Sequence, residues 1–99
     1  MRPPEISTDE VIQAAEEMQK LLDASKSKSI DIETTRDMLR KTFGLPVVYT
    51  ETDTGSERIH PKVLKQFKHQ VEKYAVHDRR DKSWRYRQKW DTPDKWSAE

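Results

Sequence analysis

Apolar positions along this chain recur at helical spacing in three stretches and at strand spacing in two others, and capping or turn residues mark the breaks. The first stripe is Val11, Ala14, Ala15, Met18, Leu21 and Leu22, with Glu16, Glu17 and Lys20 mostly outside it. That pattern predicts an amphipathic helix. Its start is signalled by Ser7 and Glu10, which form a capping-box pair, and by Ile6 and Val11 at the two staple positions. The periodicity fades over residues 24–28, so the helix is expected to end there. Ser29 and Ile30 suit a very short extended segment. Asp31 can then cap a second helix through Ile32, Thr35, Met38, Leu39 and Phe43, with Gly44 as its left-handed stop and Pro46 preventing resumption.

Residues 47–50 are β-branched and aromatic, residues 53–56 are turn formers, and Arg58 and Ile59 supply a return arm, which together predict a small hairpin. Pro61 suits the first turn of a third helix, whose inward stripe is Val63, Leu64, Phe67, Val71 and Tyr74. Its outer face carries Lys62, Lys65, Gln66, Lys68, His69, Gln70 and Lys73. A second hairpin is expected from residues 75–78, a polar turn at 79–82 and a strand at 83–88. Alternation places Trp84 and Tyr86 on one side of that strand and Arg85 and Arg87 on the other. Residues 89–99, including Trp90 and Trp96, have no clear period and are expected to form a C-terminal tail behind a single domain of residues 1–88.

This order of elements predicts an α+β, winged-helix-like fold: three helices, a β hairpin inserted before the third, and a C-terminal β hairpin as the wing. In that arrangement the third helix is usually offered to the major groove and the wing to the backbone or minor groove. The chain departs from the pattern between its second and third helices, where residues 44–59 far exceed the usual short turn.

Ninety-nine residues with 32% apolar content allow one domain, whose core must use nearly every apolar position it has. The absence of Cys removes disulfides, thiolate zinc sites and thiol nucleophiles together. No apolar run is long enough to span a bilayer and the start has no signal-like apolar region, so a cytoplasmic protein without membrane contact is expected. Charge changes the picture more. Residues 58–89 hold eleven Lys and Arg against three acids, residues 1–57 hold seven against twelve, and the last ten hold one against three. A net charge of +1 therefore conceals a basic half, which points to a polyanionic or acidic partner.

The candidate nucleic-acid contacts are Lys62, Lys65, Gln66, Lys68, His69 and Lys73 on the third helix and Arg79, Arg80, Arg85 and Arg87 on the wing. Lys suits phosphates as a point charge and Arg through its planar fork, while Gln66 and His69 could reach base edges. The plainer reading of the same helix is a solvated face opposite a core stripe. Trp84 and Tyr86 could stack on bases but fit a core role better in so small a domain. Trp90 and Trp96 could either fold back over the first helix or form an apolar patch for a partner or a second copy. His60, His69 and His77 lack metal-site spacing, His77 and Asp78 have no nucleophile beside them, and Gly55 alone cannot cradle a phosphate. No enzyme activity, cofactor, metal or small-molecule substrate is expected.

The set Ala14-Ala15-Glu16-Glu17-Met18, Phe43-Gly44, Val48-Tyr49, Gly55, Ile59, Val63-Leu64 with Phe67, and Trp84-Arg85-Tyr86-Arg87 resembles a group of small uncharacterised bacterial proteins classed as a domain of unknown function. The resemblance covers nearly the whole length. Similar proteins are often carried on mobile elements such as integron gene cassettes, so the likeness implies a compact bacterial module of that kind and transfers no activity. The expectation is thus a small non-enzymatic module that binds DNA or RNA mainly through charge. The alternative is a protein-interaction module or homodimer with no nucleic-acid role.

Overall fold

The computed structural model describes residues 2–92 and 95–98. Helix α1 (Thr8–Ala24) starts where Ser7 Oγ accepts the Glu10 amide at 3.2 Å, and the same hydroxyl donates to Glu10 Oε1 at 3.1 Å. One otherwise orphaned amide of the first turn is satisfied in this way. Strand β1 (Ser29–Asp31) leads directly into α2 (Ile32–Thr42), which Asp31 caps by accepting the Thr34 amide at 2.9 Å and its hydroxyl at 3.0 Å. Those bonds hold the Asp31 carboxyl below its ordinary range. Gly44, with φ 65°, follows α2 in the left-handed conformation that a residue with a Cβ rarely adopts.

The inserted hairpin is β2 (Val48–Thr50) paired antiparallel with β3 (Glu57–Ile59). Helix α3 (Pro61–Val71) follows, with buried His60 as its N-cap. The His60 Nδ1 accepts the Lys62 amide at 3.1 Å, so its Nε2 carries the proton and donates to the Pro4 carbonyl at 2.6 Å. One imidazole thus starts a helix and ties down the segment ahead of α1. Strands β4 (Ala75–Asp78) and β5 (Ser83–Tyr86) form the second hairpin, and a two-residue strand, β6 (Ser97–Ala98), closes the described chain.

The main sheet has the order β1-β5-β4-β6, antiparallel except for the β4–β6 pair. Trp84 lies opposite Ile30 on one side and His77 on the other. The outer edge of β1 is closed by hydroxyls: Ser25 donates to the Ser29 carbonyl at 2.8 Å and buried Thr35 to the Asp31 carbonyl at 2.7 Å. The architecture is α+β, with three helices and two sheets.

Helix α3 packs principally along α1, whereas α2 packs against β1 and the inserted hairpin. Ala14, Ala15, Met18 and Leu22 of α1 meet Val63, Phe67 and Val71 of α3 in one buried cluster, completed by Leu39, Val47, Ala75 and Trp84. The small Ala14 and Ala15 side chains suit a close approach of the two helices. Phe67 sits among aromatic edges, 5.3 Å from Trp84 and 6.3 Å from Trp96. Trp84 is therefore a core residue, as expected.

Part of the segment expected to be a tail folds back. The His77 amide donates to the Trp96 carbonyl at 2.7 Å, β6 pairs with β4, and Trp96 packs half-buried on the core. The two tryptophans of that segment part company, because Trp90 is 78% exposed.

Candidate nucleic-acid interface

The inward spacing of Val63, Phe67 and Val71 fixes the rotation of α3 and leaves Lys62, Lys65, Lys68 and His69 exposed. Lys73 is exposed just beyond the helix end. None of Lys62, Lys65, Lys68 and Lys73 forms an ion pair among the described residues. Gln66, expected at base edges, is half-buried, as is Gln70, whose Oε1 is buried without a hydrogen-bond partner among the described residues. Exposed Glu72, the C-cap, interrupts the face before Lys73.

The turn of the second hairpin is built on Asp78. Its Oδ1 accepts the Arg80 amide at 3.1 Å and the Asp81 amide at 3.2 Å, and Lys82 closes the turn with φ 50°. Arg79, Arg80 and Lys82 are exposed and make no ion pair among the described residues. Asp81 sits exposed between them. Pro61 and Leu64, on the first turns of α3, line the same cleft as His77 near the end of β4 and Trp84 of β5. The first turns of α3 therefore lie beside the end of β4 that leads into the turn of the second hairpin.

Arg85 and Arg87 do not present themselves as expected. The Arg85 side chain is 18% exposed; Nε donates to Asp78 Oδ2 at 3.0 Å, and Nη1 and Nη2 grip the two Asp91 oxygens at 2.8 and 3.0 Å. That guanidinium holds the Asp78 and Asp91 carboxyls below their ordinary range, and they raise its own pKa in return. Arg87 Nη1 donates to the carbonyls of Thr92 at 2.8 Å and Lys95 at 3.0 Å. Its Nη2 reaches those of Glu72 at 2.7 Å and Ala75 at 3.3 Å. Arg87 pins the C-terminal segment to the corner between α3 and β4, and Arg85 ties Asp91 to Asp78 at the far end of β4, so both forks are occupied within the protein. Strand alternation gave the side each points to; the partners come from a segment with no periodic signal.

The histidines divide by environment. His60 is structural and His69 is exposed on α3. His77 is half-buried against the Trp84 ring at 5.9 Å between centroids, and burial, assisted by Arg79, pushes its pKa down from 6.5. No group of three or more His, Asp or Glu residues able to hold a metal occurs among the described residues. Comparison with profiles of known families, with curated proteins and with solved structures finds no match. No helix among the described residues is long and apolar enough to cross a membrane.

Proposed function

We propose that this chain is a winged-helix-like, non-enzymatic module that binds nucleic acid, duplex DNA foremost, through α3 and the tip of the second hairpin. The observation that carries the reading is the row of exposed lysines on α3 without carboxylate partners among the described residues. Lys62, Lys65, Lys68 and Lys73 would neutralise phosphates, with His69 and the half-buried Gln66 nearest to base edges. Arg79, Arg80 and Lys82 would contact the backbone from the wing tip. Arg85 and Arg87 act as positioning residues that stiffen the wing. The strand order β1-β5-β4, with the turn between β4 and β5 as the wing, supports the winged-helix reading. The hairpin inserted before α3 is its departure. A bacterial, cassette-borne origin is the setting we infer from the family resemblance, and it adds nothing to the mechanism.

Fluorescence anisotropy of a labelled duplex across a salt series tests the proposal. Log affinity should fall linearly with log salt, with a slope approaching roughly −6 if all four lysines and three tip cations reach phosphates. A flat salt dependence, or no binding at low salt, overturns it.

A second reading, an interaction module or homodimer, is favoured by Trp90 at 78% and Leu45 at 72% exposure. Sedimentation separates the two. A dimer that dissociates on Trp90→Ala, in a protein that never bound DNA, supports the interaction reading.

A further inference from the structure

Between the inserted hairpin, α2, the start of α3 and the main sheet lies a cleft of about 320 Å³. Its walls include Ile32, Ile59, Pro61, Leu64 and Trp84, with a few polar groups at the margin. That volume and lining fall at the lower end of the range for small-ligand sites. Two of the charged groups are already satisfied: Arg58 pairs with Glu51, and both Glu57 oxygens accept from Arg40 Nη1 at 2.7 and 2.8 Å. Arg36 differs. Its Nε is buried with no hydrogen-bond partner among the described residues, while the guanidinium, on a side chain 27% exposed, lies 3.6 Å from Asp37, beyond hydrogen-bond length. A buried cationic donor is costly to leave unfilled. In the same cleft, the His77 ring makes no hydrogen bond among the described residues.

We infer that this cleft binds a small amphipathic carboxylate, with the carboxylate on the Arg36 guanidinium and a compact apolar body against Trp84, Leu64 and Ile59. The vacant donor belongs to a cation, so the ligand is an anion. A carboxylate fits better than a phosphate dianion, because the walls are mainly apolar and the Glu57 carboxylate stands at the margin. Arg supplies a planar fork that matches a carboxylate in two-point contact. The half-buried His77 ring, whose charged form burial disfavours, can supply a further polar contact. The inference goes beyond the nucleic-acid reading and stands without it, since none of these residues is a proposed DNA contact.

The test is a ¹H–¹⁵N titration of the full chain with benzoate, following the Trp84 indole and Arg36 Nε resonances, with benzyl alcohol as the uncharged control. Benzoate should shift both resonances saturably. Benzyl alcohol with the native chain, and benzoate with Arg36→Gln, should each bind at least about tenfold more weakly. Leu64→Trp, which fills the cleft without changing charge, should abolish the shifts in a protein whose remaining spectrum is native. Absence of saturable shifts at millimolar benzoate, equal affinity in Arg36→Gln, or binding retained by folded Leu64→Trp would each overturn the inference.

Discussion

Two sets of cations on adjoining elements meet opposite fates. The lysines of α3 stand in water without carboxylate partners among the described residues, while Arg85 and Arg87, at the second strand of the neighbouring hairpin, use their terminal nitrogens to hold the C-terminal segment. The difference lies in what each backbone brings near. A helix whose inner stripe is buried against α1 projects its outer side chains away from the protein. A strand inside a sheet projects its second face toward whatever crosses it, here Asp91 and the carbonyls of residues 92 and 95. With Arg58 paired to Glu51, three of the eleven cations in the basic half are structurally occupied. The lesson is that local charge measures the supply of cations, and only their partners measure how much of it a ligand can meet.

The contrast is most easily broken at Arg85. Arg85→Ala strands Asp78 and Asp91, whose side chains are 15% and 4% exposed, and is expected to cost about 3 kcal/mol in urea denaturation. Lys65→Ala, on the open face, should stay within about 0.5 kcal/mol of the native chain. Equal effects from the two substitutions would erase the distinction between the regions. Trp96→Ala sharpens it within the C-terminal segment. Loss of the half-buried ring from Phe67 is expected to cost about 2 kcal/mol by the same measurement, whereas Trp90→Ala should have almost no effect on stability.

The smallest expected effect is in pH dependence, where the two regions have separate windows. His77 has a folded pKa below its ordinary 6.5, so the unfolded chain binds more protons between those values. Its contribution is complete above pH 6.5 and is lost as pH falls through that interval. His77→Leu should flatten stability there. Asp78 and Asp91 are lowered from 3.8, so the clamp contributes fully above that value and is lost as pH falls through their folded pKa values. Arg85→Ala should reduce that acid-side loss, leaving the part due to the backbone amides on Asp78 and Asp91, and leave the His77 slope in place.

Much of the fold was legible because it is encoded locally. Ser7, Asp31, Gly44 and Pro61 act at helix ends through their own backbone or near neighbours, and the stripes expected for α1 and α3 contain every residue buried on those helices, with Leu21, Leu64 and Tyr74 only partly buried. The inserted hairpin was legible for the same reason, since its turn residues and β-branched arm are contiguous. Strand β6 was not. Two residues in a parallel pair have no period, and they are held by a distant amide, that of His77, and by Trp96 against Phe67. For the candidate site, helical spacing located the exposed lysines, yet alternation could not say that Arg85 would meet Asp91 rather than solvent. Nor could it place the vacant Arg36 donor, which depends on α2, the inserted hairpin, α3 and the main sheet converging around one cleft.

The central claim is that α3 and the tip of the second hairpin hold the available cations, and a ¹H–¹⁵N titration of the full chain with a short DNA duplex at low salt tests it most directly. The account expects salt-sensitive shifts at exposed positions of residues 62–73 and at residues 79–82, while the guanidinium resonances of Arg85 and Arg87 stay in place. Shifts centred on Arg85 and Arg87 with α3 silent, or no shifts at all, would contradict it.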